Sequence, residues 1–266
     1  LANIRIAVYG LIAFAMLSHA VDAQPRTKLQ RRTIEAFDKY IKEADRQFQL
    51  TLSGKKPFLW MNTQNEEVRE QVRRGELVVI KDKENEKVPG GIIHIWGVLT
   101  FITGTTAEDV AKLLQDYDRH KDIYPSVIDS KLLGKKGNIA KGFLRFRYKK
   151  VITVVLNTEH ESELIKLEKG KYGLRVKSTR IAQVENPGES SEHELPVGQD
   201  SGFLWRLNTF WKILQAEGGV FVECQSITLT RSIPIGFGWV IGPFVESIPR
   251  DSLRELVDGT RVALRK

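Results

Sequence analysis

The chain has 266 residues, enough for one medium domain with an appendage or for two small ones. Hydrophobic residues make up 41% and charged residues 28%, so there is ample apolar material for a core. The formal net charge of +8 is spread over pairs such as Arg73-Arg74, Lys135-Lys136 and Lys149-Lys150, which argues against nucleic acid as a partner, and one cysteine with no CxxC or Cys/His cluster argues against a disulfide or a metal.

In residues 1–23 Arg5 precedes an apolar run, Ile6 to Leu17, and Val21-Asp22-Ala23 supplies small residues after it. The run is too short for a membrane span of roughly 20 apolar residues. The pattern is that of a signal peptide cleaved after Ala23, so export to a periplasmic or extracellular space is expected. The competing expectation is a retained anchor.

Residues 24–88 form a mainly helical extension. Ile34, Phe37, Tyr40, Ile41, Ala44, Phe48 and Leu52 fall at three- and four-residue steps, which predicts a helix over 27–52 with Thr33 as its N-cap. A second helix over 65–74 stops at Gly75, and Glu76–Ile80 suits a strand. Residues 81–87 are a solvated charge run, and Pro89-Gly90-Gly91 marks a boundary. The extension is too small for a large core of its own, so its apolar face should pack on the main domain.

The main domain is expected over 89–266. Ile92–Thr103 is a strand rich in β-branched residues, and Thr106–Tyr117 is a helix with Thr105 or Thr106 as cap. A short turn or helix over Asp118–Asp122 leads to Tyr124-Pro125. Strands follow at 126–134, 140–156, 159–168, 172–185, 203–216 and 219–231, with a bend at Asn157-Thr158 and a loop over 186–202. An apolar Gly/Pro segment, Ile233–Pro249, precedes a helix over Arg250–Arg265. Short turns between strands favour an antiparallel meander, and helices on one side of it make an α+β layering. One broad sheet against one helix tends to enclose a pocket.

Alternation assigns the inward faces. They carry Phe203, Trp205, Leu207, Thr209, Trp211 and Ile213 in one strand, and Leu144, Phe146, Tyr148, Ile152, Val154 and Leu156 in another. In 172–184 the even positions run Tyr172, Leu174, Val176, Ser178, Arg180, Ala182 and Val184. Arg180 on an apolar face needs a carboxylate, a carbonyl cluster or an anionic ligand, and Glu223, Glu159 and Glu161 are candidate partners; alternatively it snorkels to water from a strand end. His160 falls on an inward face, and His94 shares a face with Trp96. A lone histidine in such a place is more often a structural hydrogen-bonder. Cys224, in an apolar run, suits a buried inert thiol.

The stretch HIWGVLTFITGTTAEDVAKLLQDYDRHKDIYPSVIDSKLL, with Asp116 or Asp118 before Tyr124-Pro125, resembles the opening of START-like proteins, the SRPBCC or Bet v 1-like superfamily. The ending GGVFVECQSITLTRSIPIGFGWVIGPFVESIPRDSLRELVDGTRVAL resembles the superfamily's last strand, Pro-containing crossover and long final helix. The resemblance implies a helix-grip fold over about residues 89–264. It further implies a hydrophobic ligand, a lipid, sterol or polyketide, held between sheet and helix, and it transfers no catalytic residue.

The expected function is therefore an exported binder or carrier of a hydrophobic small molecule or lipid, with no cofactor. Its expected ligand-binding residues are Trp96, Phe146, Tyr148, Arg180, Trp205, Trp211 and Glu223. Ile233–Pro249, with Phe237, Trp239, Ile241 and Phe244, is either a lid that touches peripheral membrane or ordinary packing under the last helix. The alternative is a cyclase or dehydratase, for which His94, His160, Arg180 and Glu223 are the titratable candidates. A third expectation makes residues 27–88 a docking module.

Overall fold

The computed structural model describes residues 26–81, 83–149, 153–168, 170–232 and 238–265, with side chains of the last segment from 247 onward. The expected signal peptide and residues 233–237 of the expected lid lie outside them, as do the side chains of Trp239, Ile241 and Phe244.

The strands are β1 (Thr27–Lys28), β2 (Val78–Ile80), β3 (Glu86–Val88), β4 (Gly91–Thr103), β5 (Val127–Lys136), β6 (Ile139–Lys149), β7 (Thr153–Lys166), β8 (Lys171–Glu185), β9 (His193–Glu194), β10 (Gln199–Asp200), β11 (Arg206–Ala216) and β12 (Gly219–Arg231). The α-helices are α1 (Arg31–Leu52), α2 (Glu66–Arg73), α3 (Ala107–Gln115), α4 (His120–Ile123) and α5 (Gly238–Leu264). The main sheet is antiparallel in the order β2-β4-β12-β11-β8-β7-β6-β5, with β3 also on β4 and β9 on β8. After β4 the chain passes through α3 and α4 to the far edge, then meanders back until β12 lies beside β4. Helix α5 packs across one face, where Leu253 and Val257 join Val98, Ile102, Val222 and Cys224 in the largest core cluster. The protein is thus α+β with the helix-grip arrangement.

The opposite, outer face is also covered. Phe37 and Phe48 of α1 pack on Ile93, Ile95, Phe210, Ile227 and Leu229. The rings of Phe48 and Phe210 are 5.2 Å apart. Leu59, Met61 and Val72 lie over Ile80 and Leu99. The sheet is therefore buried on both faces at β4, β12 and β11, and these strands carry apolar residues at both parities.

Several boundaries differ from the sequence expectation. Gln30, not Thr33, occupies the N-cap of α1; Thr33 lies in the first turn and its hydroxyl donates to the Pro89 carbonyl. Residues 140–156 are not one strand: Lys149 pairs with Thr153, so the chain reverses between β6 and β7. Their inward residues keep one parity, which makes the two strands look continuous in sequence. Asn157-Thr158 lies within β7, opposite Arg145 and Leu144, rather than at a bend. Part of the charge run is strand, since Glu86 pairs with Ile93. Helix α5 starts at Gly238, twelve residues before Arg250. Pro243 and Pro249 suggested a break because proline brings no N–H to a helix.

The cap of α3 follows the sequence: the Thr106 hydroxyl accepts from the Asp109 N–H at 3.1 Å. Gly75, which ends α2, has a φ of +79°, a conformation that strains an L side chain.

Candidate functional site

Between the inner face of the sheet and α5 lies a cavity of about 210 Å³. Alternation builds its wall. Leu144, Phe146 and Tyr148 come from β6, Val154, Leu156 and His160 from β7, and Leu174 and Val176 from β8. Leu207, Thr209 and Trp211 come from β11, and Ser226, Thr228, Thr230 and Arg231 from β12. Ile248, Ser252, Leu253 and Leu256 of α5 form the opposite wall, and Leu114, Tyr117, His120 and Tyr124 close one side. Among the described lining residues there is no carboxylate and one guanidinium.

The polar groups in this wall are mostly neutral and bonded. The Trp211 indole N–H donates to the Thr209 hydroxyl at 3.0 Å. The Tyr124 and Thr260 hydroxyls are 3.0 Å apart. Tyr148 hydrogen-bonds Ser252 and Ser126, and burial raises its phenol well above the ordinary value. Burial likewise pushes Tyr117 up to about 12. His120 and His160 are each lowered to about 4, because burial penalises the charged ring. Arg231 donates to the Ser201 carbonyl at 3.3 Å, and desolvation lowers its pKa.

Of the seven residues singled out in the sequence, the structure brings Phe146, Tyr148 and Trp211 to the cavity. The Phe146 and Tyr148 rings stack with centroids 5.7 Å apart. The other four lie outside its wall. Arg180 leaves the inner face because Thr179 is an extra residue: Glu159 pairs with Arg180 and His160 with Ser178, a bulge that reverses the parity beyond it. Arg180 therefore points outward and pairs with Glu194 of β9. Trp205 precedes β11, in a bend that turns it to the outer face, where its indole N–H donates to Asp200 at 3.0 Å. Glu223 is also outward, beneath the extension; it pairs with Lys212 and accepts the Trp60 backbone N–H at 2.7 Å. Trp96 shares the inner face with Val98 but sits on β4, beyond the cavity wall, under Lys81 at 4.1 Å and Arg250 at 5.9 Å.

His94 bonds Thr230 and stays out of the wall, whereas His160 lines it. Sequence reading missed His120 and Arg231. No alternation marks His120, since it sits in a four-residue helix, and Arg231 is the last residue of β12. Cys224 is buried, and desolvation raises its thiol well above the ordinary value. No group of metal-ligating side chains gathers among the described residues.

The first long strand lies beside the last, and the final helix crosses the inner face over a cavity. This is the helix-grip fold of START-like proteins. No family model matches the sequence, and none of the curated proteins does. Among solved structures, the chain is similar to the STAR-related lipid transfer protein of Xanthomonas axonopodis, at 19% identity over 71% of this chain and 99% of that one, with a TM-score of 0.47. It is similar to human STARD10 at 10% identity over 74% and 79% of the two chains, with a TM-score of 0.43. It is also similar to the di-domain ARO/CYC StfQ of the steffimycin biosynthetic pathway, at 15% identity over 65% of this chain and 49% of that one, with a TM-score of 0.44. At these identities the likeness is one of fold.

Proposed function

We propose that the protein is an exported binder or carrier of a hydrophobic, lipid-like molecule held between the sheet and the C-terminal helix. The observation that carries this is the cavity of about 210 Å³ whose wall is mainly aliphatic and aromatic. Transferring apolar surface out of water into such a wall is favourable by about 25 cal/mol per Å².

Binding is favoured over cyclase chemistry by the state of the titratable groups. A general acid or base works best with a pKa near the operating pH. His120 and His160, lowered to about 4, are weak bases at neutral pH. The other candidates, His94, Arg180 and Glu223, do not line the cavity.

Export is supported by the sequence pattern of Arg5, the apolar run to Leu17 and Val21-Asp22-Ala23. Mass spectrometry of the protein recovered from cells should find Gln24 at its N-terminus, and a chain that still includes residues 1–23 would contradict export by cleavage. Ligand binding is tested by titrating delipidated protein with the neutral fluorescent probe N-phenylnaphthylamine. Saturable one-to-one uptake is expected; no uptake would overturn the proposal.

A further inference from the structure

The cavity holds two imidazoles whose protonation pattern follows from their neighbours. His120 Nε2 lies 3.2 Å from the Leu113 carbonyl, which only accepts, so Nε2 carries the proton. His160 Nε2 lies 2.7 Å from the Thr158 hydroxyl. That hydroxyl has one proton and donates it to the Leu144 carbonyl at 2.9 Å, so it accepts from His160 Nε2. Each ring therefore keeps a lone pair on Nδ1. Both Nδ1 atoms are buried and have no partner. The Thr228 hydroxyl, in the same cavity wall, is also buried without a partner. Native proteins seldom leave buried polar atoms unsatisfied, and three such atoms on residues of one cavity wall call for hydrogen-bond donors. The low pKa of both rings agrees with their being neutral acceptors.

We infer that the cavity takes an apolar molecule bearing a neutral hydroxyl, which donates its proton to Nδ1 of His160 or His120. The inference rests on reading the cavity as a ligand site and adds the ligand's polar group to it. A carboxylate has no proton to offer these acceptors, and its burial beside two neutral rings goes uncompensated. Arg231, also in the wall, defines the opposite possibility: a carboxylate gripped there would reverse the preference.

The test compares octanol with octanoate on the full delipidated protein, by calorimetry and by long-range proton–nitrogen NMR of the histidine rings. Octanol should bind about ten-fold tighter than octanoate, as expected when a buried acceptor gains its partner. It should also shift the Nδ1 resonance of His160 or His120. His94 supplies an internal control: its Nε2 bonds Thr230 and its Nδ1 is likewise unpartnered, but it lies outside the cavity and should not respond. In His160→Leu or His120→Leu, whichever ring responds, octanol should bind about ten-fold more weakly than to the wild type; the wild-type NMR stands whether or not that variant folds. Octanoate binding as tightly as octanol, or octanol binding without a ring response, overturns the inference while leaving the cavity a ligand site. If the dye binds and neither eight-carbon compound does, the inference also fails. If nothing binds, the reading of the cavity itself falls.

Discussion

The ring of Tyr117 lies against the bare backbone of Gly142. A Cβ at Gly142 would come within 2.0 Å of the ring, which is buried and cannot swing away. This contact lets the connection after α3 press onto β6, and it holds Tyr117 beside His120, with ring centroids 4.9 Å apart. Gly142→Ala should therefore cost about 1–3 kcal/mol through overpacking. Urea unfolding would measure it. A loss below about 0.5 kcal/mol, the range of an ordinary surface change, would contradict the contact.

The bulge at Thr179 makes a sharper claim. Deleting Thr179 would remove the bulge and leave Ser178 opposite His160 and Arg180 opposite Glu159, so Arg180 would stay outward and Ile181 inward. The deletion should therefore leave the protein folded and its probe affinity unchanged, whereas insoluble protein would contradict the assignment of Thr179 as the extra residue. Arg180→Ala should cost no more than about 1 kcal/mol, since the pair is partly exposed. It should leave probe affinity unchanged. A large loss of affinity in that variant would return Arg180 to the ligand site.

These residues show what the sequence reveals and what it hides. The inward parity of β6 and β7 is plain, because charged residues such as Arg145, Arg147, Glu159 and Glu161 mark the other face. Alternation cannot register one extra residue, so Arg180 was carried along with its apolar neighbours. Trp205 and Glu223 were misplaced for another reason. The extension covers the outer face, so Phe210 and Ile227 are as buried as Trp211 and Cys224, and hydrophobicity no longer tells the faces apart. His120 reaches the cavity from a helix outside the sheet, a juxtaposition that exists only in the folded chain.

The buried histidines predict acid sensitivity. His94, His120 and His160 have folded-state pKa values of about 4, chiefly through desolvation, against an ordinary value of 6.5. Lys81 adds to the effect at His94, and His120 to that at His160. Between these values the unfolded chain binds more protons than the folded one, so stability is fully present above about pH 6.5 and is lost as pH falls toward 4. The shift corresponds to about 3 kcal/mol for each ring by the bottom of that window. Denaturant titrations at stepped pH would measure the slope, and His160→Gln should reduce it. A flat stability profile across the window would contradict the buried neutral assignment.

The Lys212–Glu223 pair fastens the extension to the outer face. Both side chains are largely buried, and Glu223 also accepts the Trp60 N–H. Glu223→Ala leaves a buried ammonium and a backbone donor without their acceptor, and should cost about 3–5 kcal/mol. Proteolysis should then cut more readily near Trp60. Cavity binding should persist in the folded fraction, because neither residue lines that wall.

The cavity between sheet and helix is tested most directly by filling it. Val176 lines it from β8, and Val176→Trp places an indole in the space. Titrated side by side with N-phenylnaphthylamine, the wild-type protein should show saturable one-to-one binding. The variant, once its melting curve shows it folded, should show affinity weakened by at least about ten-fold, as expected when a bulky group occupies the apolar volume the probe needs. Equal binding by the two proteins would place the probe elsewhere and contradict the account.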